Sequence, residues 1–280
     1  MSNNIHSNIQ ITGLIRAVLS LAVLVSGCGD TREQSDRTNF GCQFVCDQIY
    51  QEDWSKGIPE GVTLERAQNS DLAVVKIHDL RFPRALVARI EKDENFSDVA
   101  NGKPRAEVIV PKPIRFELGH EYFIEWFTLI PQDFGFYSSQ IITQIHQGSA
   151  YGSPPIMLAL TQEGYIFRQR GSIDAEGQAT PICCAHTDKG KWVHWGLRYI
   201  PDTTGERAVS ELWKDGRLVA KLTGQPNAYR DGLPSYLKVG IYMPGGWKPV
   251  ERGPIRLLFG PITISTSHER LKEFESNETN

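Results

Sequence analysis

The sequence predicts an all-β domain, a jelly-roll sandwich bent into a concave sheet that forms a substrate groove. Short runs rich in β-branched and aromatic residues recur at 73–77, 85–90, 106–110, 122–129, 140–146, 156–160, 165–168, 193–200, 209–213, 218–222, 236–242 and 255–264. No helical periodicity intervenes between them. Gly, Pro, Asn and Asp punctuate the runs, and Lys214-Asp215-Gly216-Arg217 carries the Asp-Gly pair of a tight hairpin. Many short strands without helices argue for a sandwich. The 280 residues exceed a usual domain, but a β-sandwich can fill such a length as one unit, and neither an internal repeat nor a second core is visible. A formal charge of -3 and a pI near 6.2, without a long basic run, give no electrostatic case for nucleic acid.

Taken in order, the chain begins with an export signal over residues 1–27. Arg16 precedes an apolar run, 17–25, too short to span a bilayer comfortably and ending in small residues. Val25-Ser26-Gly27-Cys28 resembles the bacterial lipobox, in which the cysteine becomes the lipidated first residue. Gly29 stands where an Asp would signal retention in the inner membrane. The expectation is an outer-membrane lipoprotein, periplasmic or at the cell surface, held by lipid on Cys28; a secreted protein cut nearby and a single membrane anchor are the rival readings. Residues 28–48 read as a polar tether, 49–266 as the domain and 267–280 as a charged tail. Cys42, Cys46, Cys183 and Cys184 sit in a compartment where disulfides persist, and bridging the first two to the second two would staple tether to domain. Sequence alone leaves the connectivity open. A zinc site is disfavoured because no His or Cys stands at zinc-finger spacing.

Two strands hold the residues of chemical interest. Alternate side chains of a strand share a face, so Ile141, Thr143 and Ile145 are expected to face the core while Gln144 and His146 point the other way. Leu237, Val239 and Ile241 repeat the apolar face, leaving Tyr236, Lys238, Gly240 and Tyr242 in line opposite. An amide, an imidazole, an ammonium and two phenols on strands otherwise built for burial suggest a groove. Any one of these residues has a plainer role: a strand His is more often structural than catalytic, and a strand Tyr is common.

Arg105-Ala106-Glu107, Gln144-Ile145-His146 and Tyr236 to Tyr242 resemble, in the same order, the three signature strands of jelly-roll polysaccharide lyases, as in alginate lyases of family seven. Ser153-Pro154-Pro155, the Glu211-Leu212-Trp213-Lys214-Asp215-Gly216 hairpin and the Lys238-Val239-Gly240-Ile241-Tyr242 ending are similar to the family that includes glucuronan lyase and heparin lyase I. Ile109 and Pro244 stand where family-seven enzymes carry a second Arg and a Gln, which turns the expectation toward the glucuronan and heparin branch.

The resemblance implies cleavage of a uronic-acid-containing polysaccharide by β-elimination. The C5 proton of a uronate is weakly acidic because the neighbouring carboxylate is already negative, so donors must first neutralise that group. Gln144 and Arg105 are the candidates for this role, and Glu107 is expected to orient Arg105. His146 and Tyr242 are the candidate base and acid, with Tyr242 in both roles as the alternative. Lys238, Tyr236, Arg168, Arg170 and Trp247 are candidate substrate contacts, the two arginines at neighbouring subsites and Trp247 from the loop Pro244-Gly245-Gly246-Trp247. Trp192, Trp195 and Trp213 are weaker candidates for sugar stacking, since an aromatic in a sandwich is more often core. No cofactor and no catalytic metal are required; calcium is common in jelly rolls of this kind, but there is no dense Asp cluster to hold it. The partners expected are an anionic polysaccharide and the membrane, with the domain a monomer. A binding module that lost catalysis and a glycoside hydrolase on a similar sandwich are the alternatives, the latter lacking a Glu-x-Asp-x-Glu array.

Overall fold

A computed structural model describes residues 48–148, 152–230, 234–251 and 253–266. Signal, Cys28, Cys42, Cys46, most of the tether and the tail lie outside the described residues. The described chain forms strands β1 (Gln48–Glu52), β2 (Thr63–Arg66), β3 (Leu72–Lys76), β4 (Arg84–Ile90), β5 (Arg105–Ile109), β6 (Tyr122–Leu129), β7 (Gln140–His146) and β8 (Ile156–Leu160). After these come β9 (Tyr165–Gln169), β10 (Gln178–Ile182), β11 (Trp192–Ile200), β12 (Val209–Lys214), β13 (Arg217–Thr223), β14 (Tyr236–Tyr242) and β15 (Ile255–Ser265). The expected all-β sandwich is present as two open antiparallel sheets. One runs β13-β12-β11-β6-β15-β4-β3, with β1 also on β15; the other runs β10-β9-β8-β7-β14-β5-β2.

Alternation places one apolar row from each sheet between the layers. Leu237, Val239 and Ile241 of β14, Ala106 and Val108 of β5, and Ile142 and Ile145 of β7 join Ile124, Trp126, Trp195 and Leu257 of the opposite sheet in one buried cluster. Asp215 and Gly216, with φ of 51° and 82°, make the expected hairpin between β12 and β13. Trp195 and Trp213 are core residues rather than sugar platforms.

The expected alternation fails at one place. Thr143 pairs with Val239, but Ile141 then pairs with Tyr242, so β14 gains a residue on β7; against β8, Ile142 is the extra residue. This bulge turns Ile142 into the core and brings Ile141 out to pack with Ala159, Met157 and Tyr242 on the other face. Gly240 makes the irregularity possible. Its φ is +145°, and an added Cβ would lie 2.1 Å from the Ala106 carbonyl oxygen and 2.7 Å from Glu107 Cα. Gly240→Ala should therefore destabilise the domain by about 1–3 kcal/mol, which lowers Tm by roughly 2–4 °C per kcal/mol. A thermal melt unchanged from wild type would contradict this account of the bulge.

Candidate active site

The face of β5, β14 and β7 turned away from the core gathers most of the candidate residues. Antiparallel register sets Tyr242 opposite Arg105, Lys238 opposite Gln144 and Tyr236 opposite His146. The edge strand β2 adds Glu65, whose cross-strand partner is Glu107.

These groups form a connected network. Arg105 Nη1 donates to Glu65 Oε2 at 2.7 Å and to Glu107 Oε2 at 3.1 Å. Lys238 Nζ donates to Glu65 Oε2 at 2.7 Å and lies 3.5 Å from Glu107 Oε2. Gln144 Nε2 donates to Glu107 Oε1. Arg105 Nη2 donates to Asn101 Oδ1 at 2.7 Å, and Asn101 Nδ2 donates to Tyr242 Oη at 3.0 Å. The Arg105 guanidinium also lies over the Tyr242 ring, 3.9 Å from its centroid. Glu107 thus does more than orient Arg105: it holds the Gln144 amide and half of the Lys238 charge.

Burial and pairing set the charges. Burial pushes the Glu65 carboxyl up, but Lys238 and Arg105 outweigh it and leave Glu65 below its usual range. For the fully buried Glu107, burial wins over the same two cations and its carboxyl is raised. Burial would lower Lys238, yet Glu107 and Glu65 hold its ammonium above the usual value. Lys238, like Arg105, is therefore buried and ion-paired to both carboxylates.

His146 departs from expectation in two ways. Burial first, and the Lys238 charge second, pull it from 6.5 to about 4, so it is uncharged at neutral pH instead of poised there. The phenol beside it is that of Tyr236, with Oη 3.5 Å from Nδ1, whereas Tyr242 lies six residues further along β14, under the Arg105 guanidinium. Burial raises the Tyr236 phenol.

Beside Tyr242 a cleft of about 310 Å³ is lined by Ile141, Met157, Ala159, Ile166, Arg168 and Arg170 among others. Arg168 of β9 and Arg170, one residue past its end, both line the cleft, as their alternate spacing predicts. Trp247 does not line this cleft; it is half-buried and packs against the core. Cys183 and Cys184, adjacent in the chain, lie together as a vicinal pair, and their expected partners Cys42 and Cys46 lie outside the described residues. Among the described residues no group of three or more His, Cys, Asp or Glu side chains is placed to hold a metal ion.

Glu65 and Asn101 escaped the sequence reading. Thr63–Arg66 is too polar to read as a strand. Asn101-Gly102 is a turn signal, and both residues take left-handed φ, 52° and 64°, the conformation for which Asn and Gly are suited.

A family model described as polysaccharide lyase matches residues 51–259. No curated protein matches the chain. Among solved structures, the fold is similar to endo-beta-1,4-glucuronan lyase from the fungus Trichoderma reesei, with 16% identity over 79% of this chain and 96% of that one and a TM-score of 0.60. It is also similar to an alginate lyase mutant in complex with an alginate trisaccharide, with 13% identity over 79% of this chain and 99% of that one and a TM-score of 0.55. At such identities the likeness is one of fold.

The His146 environment sets a pH dependence of stability. The folded protein holds His146 near 4 while the unfolded chain holds it near 6.5, so the unfolded state binds more protons between these values. Stability therefore falls as pH is lowered from 6.5 toward 4, by up to about 3 kcal/mol from this residue. Denaturant titrations of His146→Gln should show a correspondingly flatter loss over that window; identical slopes in variant and wild type would refute the assignment.

Proposed function

The chain belongs to the polysaccharide lyase family, and from that premise we propose that it cleaves a uronic-acid-containing polysaccharide by β-elimination on the outer face of β5, β14 and β7. The observation that carries the proposal is the fit of Arg105 and Asn101 around Tyr242: a guanidinium over the ring and an amide donating to the phenol oxygen. The first sets a positive charge, and the second a hydrogen-bond donor, against the group that is to carry the proton.

In this mechanism Gln144, Arg105 and His146 receive the uronate carboxylate. Glu107 takes one hydrogen of the Gln144 amide and leaves the other for substrate. An uncharged His146 with Tyr236 donating to Nδ1 carries its hydrogen on Nε2, the donor the carboxylate needs. With the carboxylate neutralised, the Tyr242 phenolate takes the C5 proton, the C4–O4 bond breaks as C4=C5 forms, and the same phenol returns the proton to the departing O4. One group can do both because C5–H and O4 lie on one side of the ring in glucuronate and mannuronate. His146 is then a carboxylate donor and not the base. The apolar run 17–25 and Cys28 support an outer-membrane lipoprotein, periplasmic or at the cell surface.

The domain incubated with glucuronan, alginate, heparin and hyaluronan should generate the ultraviolet absorbance of an unsaturated uronyl end from at least one of them. Reducing ends without that chromophore would indicate hydrolysis, and binding without turnover a binding module. Tyr242→Phe should lower kcat by about 10²–10⁴-fold. His146→Gln, which keeps a neutral donor, should retain far more activity than His146→Ala; equal loss in both would return His146 to the role of base. Asn101→Ala should lower kcat about tenfold with little change in KM. A kcat unchanged by Asn101→Ala would remove Asn101 from the proton transfer.

A further inference from the structure

The cleft beside Tyr242 bears on which polymer the site takes, an inference that rests on the lyase reading above. Cross-strand pairing lays the outer face out in rows. One row runs Lys238, Gln144, Met157, Arg168 from β14 to β9, and the next runs Tyr242, Ile141, Ala159, Ile166. The proposed carboxylate donors thus stand on β7 and β5, and Arg168 stands two strands beyond Gln144, about 10 Å away at ordinary strand spacing. Between them, on β8, the face is Met157 and Ala159.

The two ends differ in charge from the middle. Arg105 and Lys238 are paired with Glu65 and Glu107. Arg168 and Arg170, by contrast, have no carboxylate partner among the described residues, and the Nε of each is buried without a hydrogen-bond partner. Guanidinium groups in that state suit the carboxylate or sulfate of a ligand. The floor between the two anion positions carries no cation. A polymer lying across the strands with a charge on every sugar would set an unneutralised carboxylate on Met157 and Ala159, a costly placement. An uncharged sugar, and above all the methyl of an acetyl substituent, would instead cover apolar surface there.

We propose that the substrate bears its negative charges on alternate sugars, with an uncharged and acetylated sugar seated over Met157 and Ala159 and the next anionic group held by Arg168 and Arg170. The test is binding of length-matched oligosaccharides to Tyr242→Phe by calorimetry. Hyaluronan oligosaccharides, in which glucuronate alternates with N-acetylglucosamine, are compared with glucuronan oligosaccharides, in which every sugar is glucuronate. Hyaluronan should bind about tenfold more tightly or better. Met157→Lys in the same background should narrow or invert the ratio, and Arg168→Gln with Arg170→Gln should weaken hyaluronan about tenfold. Equal or tighter binding of glucuronan, a ratio unmoved by Met157→Lys, or no binding of either ligand would overturn the proposal. Because the readout is affinity, its failure is distinct from that of the lyase reading, which falls only if the active protein yields no unsaturated product from any polymer.

Discussion

Two carboxylates and two cations share the space beneath the site, and the geometry of the other groups depends on their balance. Arg105 and Lys238 are buried, a placement that costs several kcal/mol per ion unless each finds a partner. Glu65 and Glu107 supply those partners from two strands, and Glu107 in turn aims the Gln144 amide. Removing one member would strand the charge of another, at about 3–5 kcal/mol. Because the cations are already neutralised from within, an arriving carboxylate meets hydrogen-bond donors more than net positive charge. Such donors act where charge develops and are in place before the reaction begins.

Charge compensation also separates the roles of the two phenols. Tyr236 sits against an imidazole that burial and Lys238 keep neutral. Tyr242 sits against the guanidinium, with Asn101 as a bridge between them. The first arrangement suits a group that orients a donor, the second a group that carries a proton. A strand pair alone would not tell them apart, since both phenols lie in the same line of side chains.

Much of the fold was legible because its signal is local. The β-rich runs give the bounds of β7, β8 and β14 to the residue, and the Asp215-Gly216 turn follows from its own chemistry. Strands β1, β2 and β10 escaped because exposed and half-exposed polar residues blur their pattern. The candidate residues were legible as a set but not their partnerships. Whether His146 meets Tyr236 or Tyr242 depends on register, and the outward turn of Ile141 depends on a bulge opposite Gly240. Those are properties of pairing between segments ninety residues apart, which no single segment encodes. The downward shift of His146 likewise arises from burial in the assembled sheet and, second, from Lys238 on another strand. Trp247 stands in a Gly-rich loop that reads as exposed, while its indole packs half-buried against the core.

Strand β2 is the outermost of its sheet, four residues long, and bonded on one side only. Edge segments of this kind open and close far more often than the interior they border. Glu65 rides on that segment. Each opening withdraws one of the two counter-charges from Arg105 and Lys238 while the sandwich stays intact, so heat or denaturant reaches the chemistry before it reaches the fold. On the lyase reading proposed above, loss of activity is expected as a fraying event at a margin, separable from global melting.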